Sequence, residues 1–355
     1  MFGLPPLPPH FHAALRDVDA KRPESRMAAA ERLGRAEGEE RDAAIDGLAR
    51  LAKDSHAGVR ATAMAALGLL ADERRLEIVL AGLDDAFPEV REFAALALGQ
   101  IGGARAREAL RGALRHAGPE VRFHAVTGLA ELDPEHAGSD LSPLLDDADH
   151  DVRAQVVVAL ASLDAPHLSG HLARGLSDPA WGVQLEAALA LAARKDTRGE
   201  PVLLVALARR ERIPEVTQAL ARLASQAARE PLAALATAWL TPPAVRASAG
   251  AALTRLGDPR GVPALRRVLH GLRSDARSYA VELTRDLDAS ELGGDLARLA
   301  ERPRGTDLLT LVDALGHHAP RSAPARSALE RLAARSDVVG HAARELVQRT
   351  AVERG

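Results

Sequence analysis

Along most of the chain, apolar residues fall in threes at spacing i, i+4 and i+8, and the threes recur every 31 residues. Val59, Ala63 and Leu67 are followed by Val90, Ala94 and Leu98. Then come Val121, Ala125 and Leu129, Val152, Val156 and Leu160, and Val183, Ala187 and Leu191. Two steps on, the register returns with Val245, Ala249 and Leu253. It continues with Ala280 and Thr284, Leu311 and Leu315, and Ala342 and Leu346. The spacing places each three on one face of a helix. A small residue followed by Leu lets neighbouring helices approach closely. A second amphipathic stretch precedes each of these helices across a turn. In Leu256-Gly257-Asp258-Pro259, Gly257 is suited to end one helix, Asp258 to cap the next and Pro259 to enter its first turn. Gly102-Gly103 and Asp133-Pro134 mark equivalent turns. The pattern predicts eleven helix pairs, with second helices starting near residues 24, 57, 88, 119, 150, 181, 212, 243, 274, 305 and 337. A period of this length signals a stacked repeat array, in which each unit touches only its neighbours.

Two places break the rhythm. Leu33 to Leu67 spans 34 residues, and around Ile213-Pro214-Glu215-Val216 one step shortens to 29 and the next lengthens to 33. Because the register recovers, the second irregularity reads as a local distortion, and residues 10–355 as a single continuous solenoid. Residues 1–9, rich in proline, read as an extended arm. The arm could dock in an aromatic groove as a polyproline ligand, or lie as a stiff segment over the first pair.

Composition supports helices. Hydrophobic residues make up 47% of the chain but aromatics only 2%, so the core must be built from Ala, Leu and Val; Ala and Leu are strong helix formers. Lys occurs only at Lys21, Lys53 and Lys195, the rest of the positive charge being Arg, as a GC-rich bacterial genome would encode. The net charge of −3 lacks the basic excess a non-specific nucleic-acid binder uses to displace counterions. Arg266, Arg267, Arg273 and Arg277 are the one basic cluster, and they fall on different faces. The chain has no Cys, which excludes disulfides, thiolate metal sites and cysteine nucleophiles. The start, Met1-Phe2-Gly3-Leu4-Pro5, lacks the basic opening and apolar run of a signal peptide, and Val156–Leu163 is too short to span a bilayer. The expectation is a cytoplasmic protein with no membrane role.

The segment from Asp84 to Gly102, with Pro88-Glu89-Val90-Arg91 and Ala94-Ala95-Leu96-Ala97-Leu98, resembles the HEAT repeat in its short, phycobilisome-lyase-like form. Leu256–Leu265 resembles the same repeat's inter-unit turn. The resemblance runs along essentially the whole chain and is weaker at residues 1–50, 205–225 and 290–355. It implies an all-α, right-handed alpha-alpha superhelix whose second helices line the concave side in many such arrays. It also implies that Asp54, Asp85, Asp147 and Asp178, with His116 in the gap, join Arg60, Arg91, Arg122 and Arg153 in a ladder of inter-helix loops. A carboxylate repeated in four units is structural; catalytic groups do not come as ladders. The resemblance says little of function, because the module occurs in lyases, hydroxylases, glycosylases and adaptors.

Candidate chemistry is sparse. His167 and His171 stand at i, i+4, a metal-capable spacing, but no Glu follows His167 as in a zinc-protease motif. His317 and His318 point to different sides of a helix. HEAT-repeat deoxyhypusine hydroxylases hold iron with His-Glu pairs, and this chain has no His-Glu dipeptide. HEAT-like alkylpurine glycosylases are basic and use aromatic and acidic side chains; here the two Trp residues are Trp181 and Trp239. Trp181, at a helix start, reads as packing between repeats. Neither a Walker loop nor GxSxG occurs. No catalytic residue, cofactor or metal ligand is assigned, and the chain is not expected to be an enzyme.

On a helical wheel, the residues two and six places after each Val face away from the Val-Ala-Leu stripe. In the middle repeats these include Leu96, Phe123, Val158, Leu185 and Leu189, and Phe93 and His124 lie in the neighbouring column. Those seven residues form a candidate partner-binding groove, since exposed apolar side chains in a contiguous row mark an interaction site. The reading is a non-catalytic scaffold or adaptor that binds a protein partner, an amphipathic helix or an extended segment, on the concave face. A nucleic-acid partner is not expected, and a monomer is. The alternatives are a phycobilin-lyase-like enzyme or chaperone, and a nucleic-acid-binding HEAT-like protein.

Overall fold

The columns of the sequence pattern are the core. Val59, Val90, Val121 and Val152, the following Ala63, Ala94, Ala125 and Val156, and Leu98, Leu129 and Leu160 are all fully buried. The computed structural model describes residues 10–163, 165–303 and 305–352, so the Pro-rich arm at residues 1–9 lies outside the described residues. Among the described residues there are 22 α-helices and no strand. They alternate as first and second helices, and the second helices begin at residues 23, 57, 88, 119, 150, 181, 213, 243, 274, 308 and 338. Eleven pairs are therefore present, as the 31-residue pattern predicts. The fold is an all-α superhelix of stacked helix pairs.

Contacts divide the chain into two compact units, one up to Ala190 and one from Leu191. In the first unit, consecutive second helices Ala57–Leu70, Pro88–Ile101, Pro119–Leu132 and His150–Ser162 pack side by side. Pro88 and Pro119 open two of them at the first helical position, where a missing N–H costs nothing. Asp149 caps the fourth, accepting from the N–H groups of Asp151 and Val152. The helices come close because small residues face one another. A Cβ on Gly128 would stand 2.9 Å from a Leu110 methyl and 3.3 Å from the Cα of Gly99. Several first helices are partly 3-10, as at Ser142–Asp146, Pro166–Leu168 and Gly175–Ser177. Pro143 follows directly on the helix Pro134–Leu141, where a continuing α-helix would need its N–H.

In the second unit the helix Pro243–Arg255 packs against Arg229–Thr237, Gly261–Leu269 and Ser274–Thr284. One apolar cluster runs from Ala247 through Leu265, Leu296 and Leu315 to Ala343. The rhythm break near Ile213 has a backbone cause. The turn before Ile213–Arg222 is short, and both Arg210 (φ 59°) and Arg212 (φ 42°) are left-handed. Such residues reverse the chain in fewer steps but at some steric cost for a side chain with a Cβ. Gly257 (φ 69°) ends its helix in the left-handed region, as expected. Asp258 departs from expectation: its Oδ1 accepts from the Arg260 N–H at 3.0 Å, and Gly261–Leu269 starts without a side-chain cap. Pro259 therefore lies in the turn and not in the helix. Among the described residues, no helix is long and apolar enough to cross a membrane.

Candidate functional site

The turns joining first to second helices in the first unit carry a regular ladder. Each ladder Arg reaches in two directions. Arg60 donates through Nε and Nη2 to both oxygens of Asp85 at 2.7 and 2.8 Å, and through Nη1 to the carbonyl of Asp54 at 2.8 Å. Arg122 does the same with Asp147 (2.7 and 2.6 Å) and the His116 carbonyl. Arg153 repeats it with Asp178 (2.7 and 2.9 Å) and the Asp147 carbonyl. The Nη1 bond braces the Arg's own turn, and the two-pronged carboxylate pair ties it to the next turn. Each Asp also accepts from the backbone N–H two residues on, as Asp85 does from Phe87 at 3.0 Å. The ladder begins one repeat earlier than the sequence columns show. Arg26 pairs with Asp54 at 2.5 and 2.8 Å, hidden from the column by the 34-residue first step. Where His116 replaces Asp, Arg91 turns to Glu120 at 2.6 Å, and His116 Nδ1 accepts from the Gly118 N–H.

Hydrogen bonds from Arg26 and Arg60 hold Asp54 and Asp85 below the ordinary carboxylate range. For Asp147 and Asp178, burial pushes the carboxyl up, but the Arg and backbone donors together outweigh it and the net shift is downward. These are ionised structural groups. Guanidinium and backbone donors engage their oxygens.

Beside the ladder, the second helices Pro119–Leu132 and His150–Ser162 frame a depression of about 500 Å³. Phe123 and Val158 supply its apolar surface, Val158 being 42% exposed. Carboxylates of Glu92, Glu120, Asp149, Asp151 and Glu186 rim it. His124 lies edge-on to Phe123, ring centres 5.2 Å apart, with Nε2 3.4 Å from Glu92 Oε1. Gln155 on the wall donates to Thr127 Oγ1 at 2.9 Å. Of the seven residues grouped from sequence, Phe123, His124 and Val158 come together here. Phe93, Leu96 and Leu189 are half-buried and lie outside its lining. Leu185 corrects the wheel: it is 4% exposed, as Ala61 at 2% and Ala247 at 0% are in the same column. A helix in a stack has a neighbour on each side, so the stripe left open is narrower than a lone helix suggests. The acidic rim was missed. A partial signal stood in the sequence, an acid just before the Val at Glu120 and Asp151.

Charge separates the two units. Residues 1–190 hold 20 Lys and Arg against 30 Asp and Glu, and residues 191–355 hold 26 against 19. The overall −3 thus conceals −10 in one unit and +7 in the other. In the second unit the Arg column persists as Arg246 and Arg277, but the Asp column reads Leu240, Gly271 and Arg302. Arg246 is 7% exposed and donates to the carbonyls of Ala236 (3.1 Å) and Ala238 (2.6 Å). No carboxylate among the described residues pairs with it, and burial pushes its pKa down. Arg277 donates to the Gly271 carbonyl at 2.7 Å and to Thr306 Oγ1 at 3.2 Å.

Metal-capable groups are few among the described residues. Asp149, His150 and Asp151 bring ligand atoms within 4.8 Å of one another. All stand at a helix start, where Asp149 is already engaged as the cap. His167 is exposed and His171 half-buried, in different turns of a first helix. His317 is exposed while His318 is buried, on different sides of the helix as the sequence suggests, with ring centres 5.5 Å apart.

Two family models match the chain: one described as HEAT repeats, over residues 76–161, and one described as PBS lyase HEAT-like repeat, over residues 245–271. Against curated proteins no sequence match is found. Among solved structures, YibA of E. coli is 19% identical with a TM-score of 0.54, covering 70% of this chain and 93% of its own. Kap95p, whose binding to RanGDP that structure concerns, is 14% identical with a TM-score of 0.51, over 96% of this chain and 57% of its own. At these identities the likeness speaks to fold alone, and it agrees with the helix pairs. Residues 76–161 of this chain thus match HEAT repeats, and residues 245–271 a PBS lyase HEAT-like repeat, within an array of helix pairs.

Proposed function

We propose that the chain is a protein-binding scaffold, and that the depression between second helices of the first unit receives a cationic amphipathic segment of a partner. The observation that carries this is the pairing of half-buried Phe123 and exposed Val158 with five carboxylates around one 500 Å³ hollow. An apolar floor gains from covering, and an acidic rim in a unit of net −10 selects for positive charge. A helix with Leu on one face and Lys or Arg at its margins meets both demands. The ladder carboxylates behind the hollow keep the turns rigid, so little order has to be created on binding.

A labelled helical peptide of Leu and Lys tests the reading by fluorescence anisotropy. It is expected to bind, to bind less well as salt rises, and to lose at least about tenfold in affinity, roughly 1.4 kcal/mol, in Val158→Asp. Phe123→Asp is expected to do the same with the helical circular dichroism signal kept; unfolding there would place Phe123 in the core. Equal binding of a Leu/Glu peptide, or an unchanged affinity in Val158→Asp, would refute the proposal.

A further inference from the structure

The turns of the second unit carry what the turns of the first do not. Trp239 is 82% exposed and Leu240 72% exposed, between helices Arg229–Thr237 and Pro243–Arg255. In the next turn, between Gly261–Leu269 and Ser274–Thr284, Leu272 is 92% exposed. The helices flanking these turns pack on one another, so the three side chains share one edge of the unit. In the first unit, the equivalent turns hold the ladder carboxylates. The large apolar side chain exposed there, Phe87, has Arg60 over its ring at 5.5 Å. Within the Trp239 turn, Thr241 Oγ1 is buried and has no hydrogen-bond partner, so this turn is not internally satisfied. Exposed cations stand along the same edge: Arg267 in the last turn of its helix, Arg273 beside Leu272, and Arg302 in the following turn.

Protruding apolar tips among arginines, in a unit of net +7, call for an acidic apolar hollow. The first unit of the same sequence has one. We propose that a second copy of this chain is the occupant: the Trp239–Leu240–Leu272 edge of one molecule seats in the Phe123–Val158 hollow of another. This replaces the monomer expected from sequence, and it rests on the reading of that hollow as a docking site. An anionic bilayer would also welcome Trp and Arg tips, but it would repel the first unit's −10. The edge and the hollow are different surfaces, so the contact is heterologous and association rises with concentration.

Sedimentation velocity of the full chain reads this directly. The average mass is expected to rise with concentration and to fall as salt is added. The double variant Trp239→Asp/Leu272→Asp alters only exposed side chains and is expected to remain monomeric, as is Val158→Asp. Mixed in equal amounts, the two variants share one intact edge and one intact hollow, and they are expected to form dimers that grow no further. A wild-type chain that stays monomeric at every concentration overturns the proposal. So do a mixture that gives no dimer, and an edge variant that loses binding to anionic vesicles while wild type never self-associates. If the chain stays monomeric yet still binds the Leu/Lys peptide, this inference falls and the hollow's role in partner binding stands.

Discussion

The two units run the same arginine column on different acceptors. In the first, Arg60, Arg122 and Arg153 each hold their own turn through a carbonyl and the next turn through an Asp. In the second, Arg246 keeps only the carbonyl role, folding back on Ala236 and Ala238. The two roles are therefore separable. Bracing the turn requires a side-chain donor at this position, which Gln184 also supplies by donating to the Asp178 carbonyl at 2.6 Å; tying turns together requires a carboxylate in the next turn, 25 residues later for Arg60, Arg122 and Arg153. Losing the second role frees the turn's outer position for other residues, and in the second unit Leu240, Gly271 and Arg302 occupy it.

The sharpest way to break the comparison is to remove one Arg from each unit. Arg122→Ala strands the 8%-exposed Asp147 side chain without its bidentate donor and is expected to cost about 3 kcal/mol. Arg246→Ala strands no carboxylate, and its two carbonyls can turn to water, so about 1 kcal/mol is expected. Hydrogen exchange reads the loss locally, in the amides of Pro119–Leu132 and Pro243–Arg255. Equal losses at the two sites would show that the carboxylate adds nothing beyond the turn brace.

That separation was half legible in the sequence. The Val-Arg columns and the Asp columns stood out because repeats restate them. Hence the helix starts were placed to within three residues, as at 305 against the observed 308. What the columns could not convey was direction. Asp85 lies six residues before Arg91 in sequence, yet its carboxylate serves Arg60 of the preceding repeat. Three-dimensional neighbours in a stack are set by the next unit, not by the nearest residue along the chain. The same blindness affected the groove. A wheel treats a helix as alone, so Leu185 looked open, while the carboxylates around Phe123 came from four different helices and only Glu120 and Asp151 shared a column.

A milder test sharpens the comparison by restoring what the second unit lacks. Gly271 stands 25 residues after Arg246, its N–H bonded to the Val268 carbonyl at 3.0 Å as the Asp147 N–H is to Leu144 at 3.1 Å. Its φ is not in the left-handed region. A Cβ there would meet the Val268 carbonyl oxygen at 3.1 Å, which is tight but permits a small adjustment. Gly271→Asp is expected to stabilise the unit by about 1 kcal/mol, through a new Arg246 pair and the reduced freedom of the unfolded chain. Combined with Arg246→Ala the gain should vanish. A gain that persists without Arg246 would mean the backbone term alone is responsible.

The smallest expected difference is in how the units respond to acid. The ladder carboxylates have folded pKa values below their unfolded ones, so their contribution is complete above the ordinary carboxylate range. It is lost only as pH falls through the lowered values. The second unit has a group that acts earlier. His318 is 3% exposed, and its Nε2 donates to the Thr284 carbonyl at 3.0 Å. Burial pushes its pKa down, assisted by the positive neighbours His317 and Arg321, against the opposing pull of that carbonyl and of Asp288. A histidine with a lowered folded pKa is held neutral in the fold, while the unfolded chain takes up the proton first. Its contribution is therefore full above about pH 6.5 and declines as pH drops from there towards the folded value. Exchange protection in Leu308–His318 is expected to weaken as pH falls below about 6.5, before the ladder carboxylates of the first unit respond. His318→Gln, which keeps a donor but cannot titrate, should abolish that early phase and leave the later one in place. An early phase of equal size in the first unit would show that acid acts on this fold through something other than the buried His318 imidazole.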